Sequence, residues 1–440
     1  MSDPPIRGFT KDAFDMLVSS DGYKADASRA EAFAQFEATP MPSPETEEWR
    51  YTDLRGLDLG AYEPLREEPR AETLDDVKPG ALEAAGDVGD RAGLAVQHNS
   101  SVVIAHLDPQ LERDGVVFEG IDSALRRRPD LVVPYLHAAV PTARSRFTAL
   151  HGAFRTGGTF VSVPAGVKVD LPLQALTYVD ADGVAVFPHT LIVLGEGAEL
   201  TFIDRYVSPD VGNVFSDGVV EIHSGPNSRL RYVTLQDWGS GVTHVGVQRA
   251  ILHRDAELRS LAVAFGASLS RMEAESVLDE DGGSSEMLGV YFGDRSQHFD
   301  FRSIQDHVGS QTASDLLYKG ALKGHSRAIY SGTVIIRPGA HKCDAYQTNR
   351  NILLSETAKA DSIPNLEILS NDPVRCGHAA SVGPVEEETL FYMQSRGISF
   401  EEAQRLIVFG FFQEVLDRLT LPEVRDGLER AIAAELESEG

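Results

Sequence analysis

The stretch from Gly197 to Leu258 reads GAELTFIDRYVSPDVGNVFSDGVVEIHSGPNSRLRYVTLQDWGSGVTHVGVQRAILHRDAEL and contains the pattern that decides the fold. A turn residue, a small residue, a polar residue and a leucine recur in it as GAEL at 197–200, NSRL at 227–230 and DAEL at 255–258, and a looser ASDL follows at 313–316. The four leucines are 30, 28 and 58 residues apart. This spacing indicates a repeat of about 29 residues, within the range of solenoid proteins.

The region from about residue 96 to 383 consists of short runs of Val, Ile, Leu, Phe and Tyr interrupted by Gly and Asp, with hardly any helical periodicity. Each corner of a stacked β-coil needs a turn residue followed by a small residue and an inward apolar residue, as the repeat supplies. We therefore predict a mainly β fold, a right-handed parallel β-helix over residues 96–383. A β-sandwich is the alternative, but it would use Asn-Gly hairpin turns, which are scarce here.

Two helical regions are expected to flank this core. Residues 1–95 indicate an N-terminal helical region and linker, in which residues 61–90, rich in Glu, Asp, Pro and Gly, are expected to be loose surface structure. Residues 384–440 indicate a C-terminal helical subdomain. The apolar face of its second helix would consist of Leu406, Phe409, Phe412, Val415 and Leu416, and either self-packing or partner binding would explain it.

Charge and cysteine content limit the function classes. The chain has 440 residues and a formal net charge of -27, which disfavours nucleic acid and anionic membranes as partners. Two cysteines do not form a disulfide framework, and the sequence shows no secretory signal or run long enough to cross a membrane, so we expect a soluble cytoplasmic protein. Without a phosphate-binding loop, the chain is not expected to bind nucleotide.

Residues 341–383 contain both cysteines, each two positions from a histidine. His341 and Cys343 can point to one side of an extended strand, and so can Cys376 and His378. Thiolate and imidazole are ligands of borderline metals, so the four residues could form a zinc site. The alternative is that the cysteines are small buried hydrophobes and the histidines ordinary polar residues.

A second group of polar residues lies in the segment SQHFDFRSIQDH. His298 and Asp300 share a strand face, and His307 follows nine residues after His298. These side chains could bind a metal or act as acid and base. The alternative is that they are polar residues on the solvent-facing side of a solenoid sheet, which is the interpretation we favour.

Several segments together resemble the SufB/SufD family of iron–sulfur cluster assembly proteins. They are DAYQTNRNILLS from Asp344, the later PNLEI, the C-x-H-x-A-x-V-G element from Cys376 and the segment EEETLFYMQSRGIS that follows it. EEWRYTDL, at residues 47–54, resembles the entry segment of SufD chains. The likeness covers nearly the whole chain and is strongest from about Gly283 onward.

The resemblance implies a non-catalytic scaffold subunit. A SufD-like chain would pair with a SufB-like subunit through the β-helices, and a SufC-like ABC ATPase would dock on the C-terminal helical region, with Phe409, Phe412 and Leu416 as our candidate partner-binding residues. A transient iron–sulfur cluster or iron would be held at the subunit interface. The family's interface histidine corresponds to His378, with Cys376 beside it, and His341 and Cys343 are weaker candidates.

The resemblance is closer to SufD than to SufB, because SufB chains carry an additional cysteine where this chain reads Leu366-Glu367-Ile368-Leu369. Departures from the usual SufD pattern are Cys343, Gly377 and Ala379, and the first makes an extra metal contact conceivable. A homodimer could form where the SufB-like subunit is absent. Two other classes remain open: a β-helix enzyme acting on polysaccharides, and a purely structural subunit without metal contact.

Overall fold

The computed structural model describes residues 6–19, 28–86, 90–419 and 422–437. Most described elements are strands: β1 Gly93–His98, β2 Ser101–Leu107, β3 Val117–Gly120, β4 Thr159–Val163, β5 Leu173–Tyr178, β6 Val184–Val186, β7 His189–Leu194, β8 Glu199–Val207, β9 Val214–Ser224, β10 Arg229–Trp238, β11 Val242–Leu252, β12 Glu257–Gly266, β13 Leu269–Leu278, β14 Ser284–Gly293, β15 His298–His307, β16 Ala313–Leu322, β17 Arg327–Ile336, β18 Asp344–Leu353, β19 Lys359–Ile368 and β20 Arg375–Pro384.

The helices lie mainly at the two ends of the chain. They are α1 Lys11–Ser19, α2 Arg29–Ala38, α3 Pro79–Ala85, α4 Pro109–Arg113, α5 Ile121–Arg127, α6 Pro129–Val132, α7 Arg146–Phe154, α8 Glu387–Ser395, α9 Phe400–Leu416 and α10 Pro422–Glu437. Short 3-10 turns occupy Glu47–Trp49, Leu59–Ala61, Leu74–Asp76 and Thr142–Arg144.

The strands form a β-solenoid of about eight turns, which confirms the predicted fold class. Sheet I has the order β2-β1-β5-β8-β10-β12-β14-β16-β18-β20, and sheet II has the order β19-β17-β15-β13-β11-β9-β7-β4-β3, with β6 paired to β9. Successive turns contribute parallel strands alternately to the two sheets. Every second side chain therefore points into the space between the sheets, where the central apolar cluster lies.

The repeated leucines occupy the predicted corner positions. Leu200, Leu230 and Leu258 are in register on neighbouring strands of sheet I and are buried. The turn residues before them, at 197, 227 and 255, adopt positive φ angles of 67°, 56° and 57°. The looser fourth copy is displaced by two positions, because Leu316 is in register with Met287 and the positive-φ residue of that turn is Gln311.

The expectation of hardly any helix between residues 96 and 383 was wrong for the first part of this region. Helices α4 to α7 lie between residues 109 and 154, and α7 is N-capped by Ser145, whose hydroxyl accepts a hydrogen bond from the Thr148 amide. Together with α1 and α2, α7 covers the outer face of sheet II through the buried Phe147, Phe154 and Phe187. This cover is why the first turns of the solenoid are buried on both faces.

The segment expected to be loose surface structure is instead packed where it is described. Residues 61–86 include α3, whose Ala81 and Ala85 are buried with Val77 against the first strands of sheet I. The Ala71 amide donates to the Val103 carbonyl at 2.9 Å and so continues the edge of β2. Small apolar side chains among the acidic residues provide this packing, and composition alone conceals them.

The C-terminal helices pack on the outer face of sheet I. Val408, Phe412, Val415 and Leu416 of α9 join a cluster with sheet residues such as Leu288. The Ser399 hydroxyl caps α9 by accepting from the Glu402 amide at 3.2 Å. Among the described helices, none has both the length and the apolar character that crossing a membrane requires.

Candidate metal centre at the open end of the solenoid

The last turn of the solenoid holds the predicted ligands Cys376 and His378. Strand β20 pairs in parallel with β18, and Ala345 lies opposite Cys376 while Gln347 lies opposite His378. Register partners in a parallel pair point to the same face of a sheet, and Ala345 and Gln347 are buried inside the solenoid. Cys376 and His378 therefore continue two inward-facing columns of side chains.

These inward positions are accessible because no described strand follows them. Strand β20 is the terminal strand of sheet I and β19 that of sheet II, and we call the edges and inner face of these two strands the open end. Cys376 is half-buried there and His378 is exposed. The open end thus presents a thiol and an imidazole, two residues apart on one strand, to whatever binds it.

The second cysteine lies just inside the open end. Cys343 is fully buried in an apolar cluster, and Cys376 packs against this cluster. The Thr312 hydroxyl, 3.3 Å from the Cys343 Sγ atom, also lies 2.7 Å from Nδ1 of His307. Both cysteines are free thiols, so the structure brings two potential sulfur ligands to one part of the last turn.

The electrostatic surroundings favour the protonated form of the half-buried Cys376 thiol. Burial raises the pKa of Cys376 above its ordinary value, and the neighbouring Cys343 raises this pKa further. A thiolate at this position needs a cation to stabilise it, which a bound metal ion or a basic group of a partner would supply.

His341 is not part of this arrangement. Its side chain is exposed, and its Nδ1 atom lies 2.8 Å from Oδ1 of Asp372 in the adjacent turn. This contact lowers the pKa of Asp372. Of the four residues in the hypothetical zinc site, the structure groups Cys343 and Cys376, places His378 on the same strand as Cys376, and pairs His341 elsewhere.

The predicted cluster of His298, Asp300 and His307 forms only in part, because the Thr52 hydroxyl lies 3.3 Å from Nε2 of His298 and also contacts Asp300, whereas His307 lies elsewhere. Asp300 points out of sheet II and is fully buried, because the Thr52 hydroxyl donates to its Oδ2 atom at 2.6 Å and Arg271 forms an ion pair with it. His307 points to the opposite, inner face. The interpretation as solvent-facing was therefore wrong for two of the three groups, since the N-terminal segment covers Asp300 and the solenoid encloses His307, while His298 is half-buried.

The candidate partner-binding residues on α9 are mostly covered. Phe412 and Leu416 are fully buried against sheet I, and Phe409 is partly buried in the same cluster. These side chains hold α9 on the solenoid. The exposed apolar residues of this region lie instead on and around α8 and the first part of α9: Phe391, Tyr392, Phe400 and Leu406.

Sequence reasoning missed a group of titratable side chains under the N-terminal helices. His137, His189 and Glu221 offer ligand atoms that all lie within 4.8 Å of one another. They come from a loop and two different strands, so they have no common spacing in the sequence. The only available signal was the presence of an acidic residue within an otherwise apolar strand, GVVEIHS at 218–224.

Two family descriptions cover most of this architecture. Residues 91–175 match "SufBD protein N-terminal region", and residues 177–411 match "SUF system FeS cluster assembly, SufBD core domain". The chain belongs to the SufBD family of iron–sulfur cluster assembly proteins. This assignment confirms the resemblance stated for the segments around Cys376.

Relatives in the SufBD family extend the match to most of the chain. An iron–sulfur cluster assembly SufBD family protein of Mycobacterium tuberculosis is 31% identical over an alignment of 423 residues that covers 93% of this chain and 94% of that protein. A Staphylococcus epidermidis member is 31% identical over 347 residues, covering 79% of this chain and 74% of the relative. A Mycobacterium leprae member is 35% identical over 305 residues, covering 68% and 76% respectively.

Proposed function

We propose that this chain is a SufD-like scaffold subunit that pairs with a SufB-like subunit through the open end and helps to hold a nascent iron–sulfur cluster there. The observation that carries the proposal is the position of Cys376 and His378 on β20, the terminal strand of sheet I. A terminal strand has unpaired backbone groups along one edge, and a partner strand can extend the sheet by binding them.

The surface around the open end suits a protein partner. Four apolar side chains there are between 41% and 69% exposed: Ile368, Leu369, Val374 and Val382. Exposed apolar side chains grouped beside a strand edge are typical of an interaction surface. A partner that covers them would also enclose Cys376 and His378.

The two side chains are suitable ligands for a cargo that must leave again. A thiolate and a neutral imidazole both bind iron, and a site shared between two subunits can release its cluster when the subunits move. Because the pKa of Cys376 is raised, iron binding would displace the thiol proton. The chain has no cysteine between Leu366 and Leu369, so in this proposal the partner contributes the further sulfur ligands.

A SufC-like ABC ATPase would dock on the C-terminal helical region. Phe391 and Tyr392 of α8 are 73% and 59% exposed and offer a direct contact. Docking would also depend on Phe409, Phe412 and Leu416, because these side chains fix α9 to sheet I. In this role the chain catalyses no reaction itself and acts in the cytoplasm.

The matched relatives are described as iron–sulfur cluster assembly proteins, which favours this proposal over a polysaccharide-active enzyme. A purely structural subunit would differ from the proposed scaffold in one respect, because its His378 would not contact the cargo. The His378→Ala variant separates the two. In the complex purified with its SufB-like and SufC-like partners, we expect the subunit stoichiometry to stay unchanged while iron and sulfide content falls.

The matched control is His325→Ala, which changes another exposed histidine in a turn remote from β20. Cys376→Ser tests the neighbouring ligand in the same assay. Unchanged iron and sulfide in both His378→Ala and Cys376→Ser, with the complex intact, would reject the ligand role and leave the structural one.

A further inference from the structure

The buried group of His137, His189 and Glu221 lies far from the open end, on the outer face of sheet II. His189 begins β7, Glu221 lies in β9, and His137 belongs to the loop after α6. His189 and Glu221 are fully buried, whereas His137 is half-buried at the surface of the loop. The group therefore lies in a protected interior, with His137 as its least buried member.

The hydrogen bonds of Glu221 fix its carboxylate in one orientation. Its Oε1 atom accepts from the amides of Ala139 and Val140, each at 2.8 Å, and its Oε2 atom accepts from the amide of His137 at 2.7 Å. Burial, the largest effect, raises the pKa of Glu221 above its ordinary value, while these backbone hydrogen bonds act in the opposite direction and favour the ionised carboxylate. The neighbouring Arg249 is directed elsewhere, to Glu275 at 3.0 Å and to the Ala139 carbonyl at 2.9 Å.

A chain of imidazoles determines what His189 presents to this carboxylate. The Nδ1 atom of His151 lies 2.8 Å from the Asp217 carbonyl oxygen, which can only accept, so Nδ1 carries the proton. The Nε2 atom of the fully buried, neutral His151 then accepts from Nδ1 of His189, 3.0 Å away. The remaining nitrogen of His189, Nε2, faces Oε2 of Glu221 at 3.0 Å.

If nothing lay between Nε2 of His189 and Oε2 of Glu221, the lone pair of the nitrogen would face the carboxylate oxygen and the two atoms would repel each other. A proton or a metal ion must lie between the two groups. Two ligand atoms of a tetrahedral zinc site are about 3.3 Å apart, close to the observed separation. His137 adds a third ring, with its centroid 5.5 Å from that of His189 and its ligand atom within the 4.8 Å group.

We propose that His137, His189 and Glu221 bind one divalent transition metal ion, such as Zn²⁺ or Fe²⁺, with a fourth position left for water on the half-exposed side. Two imidazoles and one carboxylate are a known ligand set for both ions. His151 and the Asp217 carbonyl hold the His189 ring from behind, as outer-shell partners do in metal sites. The ion would tie the loop around His137 to β7 and β9. This site does not depend on the proposed function of the open end.

Co²⁺ is a suitable probe, because its visible absorption reports both geometry and ligand type. We expect the purified full chain to retain one Co²⁺ per molecule through gel filtration, with absorption bands of a site lacking sulfur ligands. The double variant Cys376→Ser, His378→Ala should retain the same ion, which separates this site from the open end. Zn²⁺ should displace the Co²⁺ and raise the thermal unfolding midpoint.

Substitutions at the site should weaken binding without unfolding the chain. His137→Gln and Glu221→Gln each remove one ligand and should reduce Co²⁺ affinity by more than about tenfold, and His151→Phe should reduce it by about 10–100-fold. The matched control is His253→Gln. The Nδ1 atom of His253 also faces carboxylates, 3.4 Å from Oε1 of Glu280 and 4.0 Å from Oδ2 of Asp279, but this histidine is half-exposed and lies outside the proposed site. This control should bind Co²⁺ normally.

Two results would overturn the proposal: no Co²⁺ retained by the folded wild-type chain, or equal retention by wild type and His137→Gln. In either case a proton, not a metal ion, joins His189 to Glu221. If Glu221→Gln proves too unstable to assay, the half-exposed His137→Gln still decides the question, with circular dichroism as the check of folding.

Discussion

The Nζ atom of Lys319 lies 2.7 Å from the Glu414 carboxylate and joins strand β16 to helix α9. The same ammonium group donates to the Phe411 carbonyl at 2.8 Å and is buried, whereas Glu414 is 43% exposed. Arg350 also pairs with Glu414, and Arg418 pairs with Asp315 and Glu286, so these polar contacts supplement the apolar packing of α9 on the solenoid.

We expect Lys319→Met to loosen α9 while keeping the aliphatic part of the side chain. The loss of one buried charge-assisted hydrogen bond should cost about 1–3 kcal/mol of stability, and limited proteolysis should release the C-terminal helices faster. Lys168→Met is the control, because it removes an exposed ion pair with Glu199 on the same sheet and should change little. Equal proteolysis of the two variants would contradict the expectation.

The attachment of α9 should also weaken in acid. Lys319 lowers the pKa of Glu414, so the ion pair stabilises the folded state at pH values above the carboxylate's ordinary pKa. This contribution is lost as the pH falls through the lowered pKa of the folded state. Proteolysis at pH 7 and near pH 4 should therefore differ more for the wild type than for Lys319→Met.

Thiol chemistry tests the surroundings of Cys376. Because burial and Cys343 raise the pKa of this thiol, less thiolate is present at a given pH, and the midpoint of its alkylation profile should lie above that of the unfolded chain. Mass spectrometry after iodoacetamide treatment from pH 7 to 10 measures this midpoint. Cys343→Ala should lower it. A folded-state midpoint equal to the unfolded one would show that the surroundings do not disfavour the thiolate.

Asp204 provides a pH test of the solenoid interior. Its carboxylate accepts hydrogen bonds from Thr190, Tyr206 and Tyr232, and burial raises its pKa to about 6. The folded state therefore binds the proton more tightly than the unfolded chain, and stability falls as the pH rises from about 4 to 6.

We expect the free energy of unfolding of Asp204→Asn to exceed that of the wild type by roughly 1–3 kcal/mol at pH 8 and to differ little near pH 4. Urea unfolding at the two pH values measures this difference. Asp130→Asn, at an exposed position, should show no such pH-dependent difference. An Asp204→Asn variant less stable than the wild type at pH 8 would mean that the ionised carboxylate is the stabilising form.

Self-association tests the open end in the absence of a partner subunit. Val374 and Val382 are 69% and 41% exposed at this end, so we expect the isolated chain to form a homodimer through it. Val382→Lys places a charge on the terminal strand and should yield monomers in light scattering. Val133→Lys, at an exposed apolar position elsewhere, should remain dimeric. If the Val382→Lys variant still forms a dimer, the interface must lie on another surface.

Much of the solenoid could be predicted because successive turns have the same local conformation at their corners and therefore need the same residue types there. Each corner required a left-handed turn residue, a small buried residue and an inward leucine, and the copies ending at Leu200, Leu230 and Leu258 satisfy all three requirements. The fourth copy is less regular, since Leu316 keeps the inward direction while its register differs by two residues. Spacing alone does not distinguish these two arrangements.

The polar groups were harder to predict because their roles depend on what covers them. The strand pattern predicts a solvent-facing Asp300, but the segment containing Thr52 buries this side chain. His378 could be assigned through its motif, but its exposure depends on β20 being the terminal strand. His137, His189 and Glu221 meet only through tertiary structure, which no local pattern in the sequence records.

The two ends of the solenoid differ, and this asymmetry limits growth by edge pairing. At the first turn, β1 and β2 run antiparallel, residues near Ala71 continue the edge of β2, and β3 closes sheet II in the antiparallel sense. A molecule that offers free strand edges at one end only, here β19 and β20, could join one other such end and would then have none left. Under the proposed pairing, growth into filaments would therefore stop at the first step, and this acidic, strand-rich chain would form a discrete pair.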